Sequence, residues 1–409
     1  MESVTFVTEP LAHPDFVQYQ VVAPLLARLR GRWDTALAAP WISDEVASAL
    51  EQKGIRAIRG SARFPRWLRR TGGEVPTYIW SWTRDSVFGW NQKSLERAIG
   101  PGDSIRINFS MTSAFASDCW FVQSRPLGPG LEAMRSGGLD VPMWLALNAV
   151  GPVVDRMDWR HLVKMSALSD RLYTSTGHVA RWFGQRGVRV DGVFPIYYAP
   201  EFQPSTRSPS RDYILGYLGK ETDATAMRML LDTGLPVRLF GSKSAGWVSS
   251  LTRGRSAENV RVMGHVSREE LRDLYSNALV TAFPFTEESF GLVPVESMAC
   301  GTPVLTYGAQ GPGESVLHEK TGWTVDSAAE LVDRAAQLYR DGYPLSVSRA
   351  CLARARDFSL DRAWSNWEKL LTSIATNRSP PEPGEEPKDG TAPAERAPRR
   401  RVRFRRRRD

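Results

Sequence analysis

The stretch ESFGLVPVESMACGTPVLTYGAQGPGES, residues 288–315, decides how the rest of the chain is read. It follows an apolar run, ALVTAFP (278–284), and a polar turn, FTEESFG. Pro294 suits the first turn of a helix, where its missing N–H removes no hydrogen bond. Gly301 and Pro303 mark the end of that helix, and PVLTYG (303–308) reads as the next strand. The order is therefore strand, loop, short helix, loop, strand.

The same alternation extends outward in both directions. Strand candidates in the first half are SVTFV (3–7), TALAAP (35–40), TYIWSW (77–82), SIRINFS (104–110), CWFVQ (119–123), RLYTST (171–176) and GVFPIYY (192–198). In the second half they are DYILGYL (212–218), PVRLFG (236–241), VRVMG (260–264), ALVTAFP and PVLTYG. Short apolar runs separated by amphipathic stretches predict parallel sheets covered by helices. Two helix starts are marked by capping boxes, Ser267 with Glu270 and Ser327 with Glu330. A chain of 409 residues exceeds what one core sustains. Two α/β domains are expected, at 1–200 and 212–358, with a Pro- and Ser-rich linker at 201–211, a closing helix at 359–376 and a disordered tail at 377–409.

In an open parallel sheet, ligands bind beyond the carboxyl ends of the strands. Here that crevice meets a helix N-terminus, where free N–H groups of Phe290, Gly291 and Leu292 are expected to face an anion such as a diphosphate. Glu288 precedes the turn and Glu296 is placed in the first helical turn. Carboxylates repel phosphate and accept from hydroxyls, so the pair is read as flanking the anion, one for a sugar and one for a ribose. A glutamate in a first turn is also favourable for the helix dipole alone, and Glu288 alone reads as a solvated loop residue.

Taken together, Glu288-Ser-Phe-Gly-Leu-Val-Pro-Val-Glu296, then SMACGTPVL and GPGESVLHEKTGWTV, resemble glycosyltransferase family 4. The likeness covers roughly residues 212–340; the first half matches only in its general pattern. It implies a GT-B architecture, two Rossmann-like doubly wound domains facing across a cleft. It further implies a retaining transferase that uses a UDP- or GDP-linked hexose, with Glu288 at the donor hexose, Glu296 at the ribose, and the amides between them at the phosphates. In such enzymes the leaving phosphate takes the acceptor proton, so no strong protein base is required. The family's phosphate-clamping Arg and Lys are missing: Tyr217 and Leu218 stand where the Arg is expected, and Lys220 and Lys243 are the nearest replacements. Position 123 is Gln where a cleft His is frequent. Two other readings are a phosphorylase or epimerase of the same fold and a catalytically degenerate binding protein.

No Asp-x-Asp pair suggests a divalent ion, and no cofactor is expected. Cys119, Cys300 and Cys351 are scattered, which fits a reducing compartment and no zinc site. The net charge of +8 is that of residues 396–409, which hold nine Arg and one Asp, so positions 1–395 are neutral. A specific nucleic-acid partner is therefore not expected. The N-terminus carries no signal-peptide pattern and the apolar window 141–154 is too short to span a bilayer. The expected location is cytoplasmic, with possible peripheral contact to anionic membrane through RLRGRW (28–33), ARFPRWLRR (62–70), VARWFGQRG (179–187) or the tail. The acceptor is expected to be a glycan or lipid-linked, held by the first domain.

Overall fold

The structure, a computed structural model, describes residues 2–378 except 15, 64, 66–73, 124–152, 154, 155, 220, 242–244 and 257. Most of the expected tail and nearly all of the 141–154 window lie outside the described residues.

The first sheet contains β1 (Ser3–Val7), β2 (Asp34–Ala39), β3 (Arg56–Arg59), β4 (Ile105–Asn108), β5 (Cys119–Val122), β6 (Leu172–Thr174) and β7 (Gly192–Val193), in the order β3-β2-β1-β4-β5-β6-β7. Its helices are α1 (Val17–Leu29), α2 (Asp44–Gln52), α3 (Glu74–Phe88), α4 (Trp90–Ile99), α5 (156–167) and α6 (Gly177–Gly184). The second sheet contains β8 (Ile214–Leu218), β9 (Val237–Gly241), β10 (Val260–Gly264), β11 (Val280–Phe283), β12 (Val304–Tyr307) and β13 (Gly322–Val325), in the order β10-β9-β8-β11-β12-β13. Around it lie α7 (Ala224–Asp232), α8 (Ala245–Thr252), α9 (Arg268–Asn277), α10 (Leu292–Ala299), α11 (Gly311–Ser315), α12 (Ala328–Asp341), α13 (Leu345–Ala355) and α14 (Leu360–Arg378).

All pairings between these strands are parallel, with register β1 to β4 at Val4–Ile105 and β8 to β11 at Ile214–Val280. The central strands β1, β8 and β11 are buried almost throughout and are rich in apolar residues, as strands covered on both faces require, whereas the edge strands β3 and β10 are largely exposed. Strand order reverses between β1 and β4 and between β8 and β11, so each sheet has one crevice at its switch point.

TYIWSW is not a strand: it lies inside α3. Its burial follows a helical period, with Ser81, Trp82 and Asp85 buried but Thr83 and Phe88 exposed, and left-handed Gly89 (φ 61°) ends the turn. The GVFPIYY run pairs over only two residues, because Pro195 has no N–H for the ladder. β3 and β13 were not read as strands. β3 is an edge strand whose Arg56 and Arg59 reach Asp34 and Asp44, leaving little apolar signal. The Ser267–Glu270 capping box is complete. At Ser327 it is half formed, since Glu330 turns to the Asp326 N–H (3.0 Å).

Residues 201–211 form no helix or strand and are pinned to α9, with the Arg211 N–H on the Asn277 carbonyl (2.9 Å). The closing helix α14 returns to the first sheet. There Trp367 sits among Phe6, Phe109, Phe121 and Phe194, with ring centroids 5.2 to 5.5 Å away. Arg28 and Arg32 of the RLRGRW stretch reach Asp361 and Glu368 of the same helix. Those two cations therefore hold the fold together and do not form a free basic face. Trp367→Ala is expected to lower stability by about 3–5 kcal/mol, read as a drop in the urea midpoint; an unchanged midpoint would show that the helix is not required to tie the halves together.

Candidate functional site

Two loops meet at the second switch point. After β8 comes 219–223 and after β11 comes 284–291. The Thr286 N–H donates to the Glu221 carbonyl (3.0 Å) and the Asp223 N–H to the Pro284 carbonyl (2.8 Å), lacing the loops together. Beneath them Tyr217, Phe283 and Phe285 stack, with Phe283 and Phe285 centroids 3.9 Å apart. An aromatic ladder thus fills the position where the family's clamp Arg is expected. Lys220 and Lys243 lie outside the described residues.

The loop that carries Glu288 is strained and braced. Glu287 adopts φ 65°, a left-handed conformation unusual for a residue with a Cβ. Gln310 supplies the brace: its Oε1 accepts the Glu288 N–H (2.7 Å) and its Nε2 donates to the Phe285 carbonyl (2.7 Å). The Gly311 N–H donates to the Glu288 carbonyl (3.1 Å). A Cβ on Gly311 would come within 2.0 Å of the Ser289 carbonyl oxygen, and one on Gly313 within 2.1 Å of the Gly308 oxygen. The glycines of GPGE therefore permit loop-on-loop contact.

The amides expected to face an anion are only partly open. The Glu288 carboxylate curls back and accepts the Ser289 N–H (2.9 Å) and the Phe290 N–H (3.2 Å). The expectation of a free Phe290 amide is corrected: the adjacent carboxylate satisfies these donors. The Glu288 carboxylate thus lies on the amides where an anion was expected and does not merely flank them. Gly291 is the N-cap of α10, with φ 82° and no side-chain cap, and Leu292 is the first helical residue. The Phe290 ring is buried against Phe358, 5.8 Å between centroids.

Glu296 is the fifth residue of α10, in its second turn and not its first, so it owes little to the helix dipole. Its carboxylate accepts the Tyr275 hydroxyl of α9 (3.1 Å). Burial pushes its pKa up to about 7, opposed by the Tyr275 hydrogen bond and by Arg268.

The first domain reaches this loop through α6. Thr176, its N-cap, donates to the Ser289 carbonyl (2.8 Å). Glu314 of α11 accepts the Gly177 N–H (2.8 Å) and Arg181 Nη2 (2.9 Å). Arg354 holds α11 from the other side through the Glu314 and Ser315 carbonyls. Arg181 of the VARWFGQRG stretch is therefore committed to the other domain. His178 lies half-buried in the first turn of α6. Gln123 is buried and donates to Gln18 (3.3 Å).

At the first switch point Glu9 is buried and accepts from Ser110 Oγ (2.8 Å), the Met111 N–H (2.6 Å) and the Thr112 hydroxyl, with its pKa raised by burial. It ties the loop after β4 to the loop after β1. Among the described residues, no group of three or more His, Cys, Asp or Glu is placed to hold a metal ion.

Residues 226–356 match the family described as glycosyl transferases group 1. The chain is 29% identical over 271 residues to a D-inositol 3-phosphate glycosyltransferase of Mycolicibacterium smegmatis, covering 60% of each chain. It is 31% identical over 201 residues to one from Nocardiopsis dassonvillei, covering 40% of this chain and 47% of the relative. These matches span roughly half of the relatives' length. Among solved structures it resembles sucrose-phosphate synthase from Thermosynechococcus elongatus, with a TM-score of 0.64 at 17% identity over 92% of this chain and 100% of that one. It also resembles Anabaena HepE in complex with UDP, at 0.60 and 14% over 91% and 100%. At these identities the likeness fixes the fold, the expected GT-B pair of parallel sheets.

Proposed function

We propose that this glycosyl transferases group 1 chain is a retaining glycosyltransferase that moves a hexose from a UDP- or GDP-linked donor to a glycan or lipid-linked acceptor. One observation carries the reading: Glu288 and Glu296 stand on either side of an uncapped helix N-terminus at the switch point of the second sheet. The diphosphate lies against Gly291 and Leu292, and the Glu288 carboxylate leaves the Ser289 and Phe290 amides to meet a hexose hydroxyl. Glu296 receives the ribose hydroxyls. Lys220 and Lys243 supply the cations that replace the missing clamp, and no metal or other cofactor takes part. The leaving phosphate accepts the acceptor proton, so the protein's share is charge and placement. A phosphorylated polyol is a further acceptor class, given the name of the curated relatives.

The proposed location is the cytoplasm, with peripheral contact to anionic membrane through the basic and aromatic stretches. No described helix is long and apolar enough to cross a bilayer. Incubation with UDP- and GDP-sugars, with nucleotide release measured against a set of glycans and polyols, tests the activity. A second reading, a binding protein without turnover, is favoured by Tyr217 in the clamp position and by the Glu288 carboxylate already on the amides. It requires that nucleotide binds and that no acceptor elicits release.

Glu296 gives this reading a pH signature. Ribose hydroxyls donate to the ionised carboxylate, so donor binding below pH 7 releases a proton. Affinity for UDP-glucose, whose phosphates do not titrate in this range, is expected to rise up to about tenfold per pH unit toward 7 and then level off. Glu296→Gln should flatten the profile. In the unliganded protein the sign is opposite: the raised pKa contributes stability that is complete below about 4.5 and lost as pH climbs through 7. Calorimetry in buffers of differing ionisation heat measures the proton; a flat wild-type profile removes Glu296 from the ribose.

A further inference from the structure

The first domain carries a pocket that the donor site does not use. The loop leaving β3 and the helices α3 and α4 line an open pocket of about 280 Å³ between Ser61, Arg84, Trp90, Lys93, Ser94 and Arg97. That is room for a phosphorylated triose or a lipid headgroup. Three of these six side chains are cations and none is an acid.

Among the described residues no carboxylate compensates this positive charge. Arg56 and Arg59 on neighbouring β3 each hold a carboxylate, at 3.3 and 2.5 Å. Arg84, Lys93 and Arg97 have no carboxylate partner among the described residues. The two acids nearest in sequence are engaged elsewhere. Asp85 turns inward to the Gln92 and Ala114 N–H groups, and Glu96 accepts from Gln92. A concave surface of one sign raises the local concentration of the opposite ion.

Arg84 is also held in place. Its guanidinium lies over Trp80 (4.7 Å) and Trp90 (4.8 Å), its Nε is buried with no hydrogen-bond acceptor, and burial lowers its pKa. A weakly hydrated guanidinium with an orphaned donor is the side chain best suited to a tetrahedral oxyanion. The floor is built to match. Ser94 Oγ accepts the Ser61 N–H (2.7 Å), and a Cβ on Gly60 would come within 2.6 Å of that oxygen. At the rim, Phe88 and Trp90 stack 4.3 Å apart and stand 50% and 46% exposed, an apolar edge beside the charge.

We propose that this pocket binds a phosphate mono- or diester, with Arg84 as the fixed fork and Lys93 and Arg97 as supporting charges. The ester comes either from a free phosphorylated small molecule or from a phospholipid headgroup. The proposal is independent of turnover and goes beyond the donor site.

The test uses the full chain saturated with UDP, so that phosphate cannot register at the donor site. Glycerol 3-phosphate is titrated calorimetrically, and flotation compares vesicles of phosphatidylcholine with and without phosphatidylglycerol. The comparison protein is Lys93→Glu/Arg97→Glu, whose altered side chains are exposed, with its fold checked by thermal melting. Glycerol 3-phosphate binding that weakens at least about tenfold in the variant assigns a free phosphorylated ligand. Flotation with phosphatidylglycerol that weakens in the variant, with no glycerol 3-phosphate binding, assigns a headgroup. Arg84→Gln, which retains Lys93 and Arg97, should weaken the same ligand. Equal behaviour of wild type and the charge-reversed protein toward both probes overturns the proposal.

Discussion

Glu288→Ala is expected to lower turnover about a hundredfold or more while UDP binding stays the same or tightens. The first half of this expectation follows from the place of the carboxylate. It stands at the mouth of α10, on a loop held by Gln310 and Gly311 from one side and by Thr176 from the other. A group so constrained contributes to the transition state through placement, and losing one fixed polar partner of the reacting centre typically costs a few kcal/mol in the barrier. The second half follows from the hydrogen bonds the carboxylate already makes. It accepts the Ser289 and Phe290 amides, so alanine frees two donors that a diphosphate can use and removes a negative charge beside it. Steady-state turnover with the best donor and calorimetry with UDP read the two effects separately. If UDP affinity and melting temperature fall in step with turnover, Glu288 is a brace for the loop and not a partner of the sugar.

That dual behaviour was within reach of the sequence, because it is local: a carboxylate one and two residues before an amide pair can fold back on it, as N-cap side chains do. So were the parallel sheets, whose fully buried strands read as short runs of mostly apolar and β-branched residues from Val4 to Val7 and from Val280 to Phe283. What escaped reading depends on distant partners. TYIWSW carries both a strand-like and a helix-like apolar pattern, and Trp82 meets its partner Asp158 across 76 positions. Glu9 finds Ser110 to Thr112 about 100 positions away. Thr176 meets Ser289 across 113 positions and Glu314 meets Gly177 across 137. No local spacing announces such contacts. Glu296 illustrates the remaining kind of difference: a shift of one turn, set by where α10 begins, exchanges a dipole partner for a carboxyl buried against Tyr275.

The contacts that cross between the domains carry the second large expectation. Glu314→Ala removes one carboxylate that accepts both the Gly177 N–H and Arg181, and so removes most of the polar grip of α6 on the second domain. The Thr176 bond to the Ser289 carbonyl remains but has lost its neighbour. Since that carbonyl belongs to the residue after Glu288, release of α6 lets the Glu288 loop and the first domain drift relative to each other. Misplacement of about 1 Å costs on the order of a hundredfold in rate, so turnover should fall by about ten- to a hundredfold. UDP binding, which the proposal puts within the second domain, should change little. Glu314→Gln, which keeps the shape and one acceptor for the Gly177 amide, should recover part of the loss. Hydrogen exchange adds a readout that needs no turnover: amides of residues 286–291 and of α6 should exchange faster in Glu314→Ala, with and without UDP. Unchanged exchange in both segments would mean that the two domains are held together by packing alone and that Glu314 does not govern the placement of the loop.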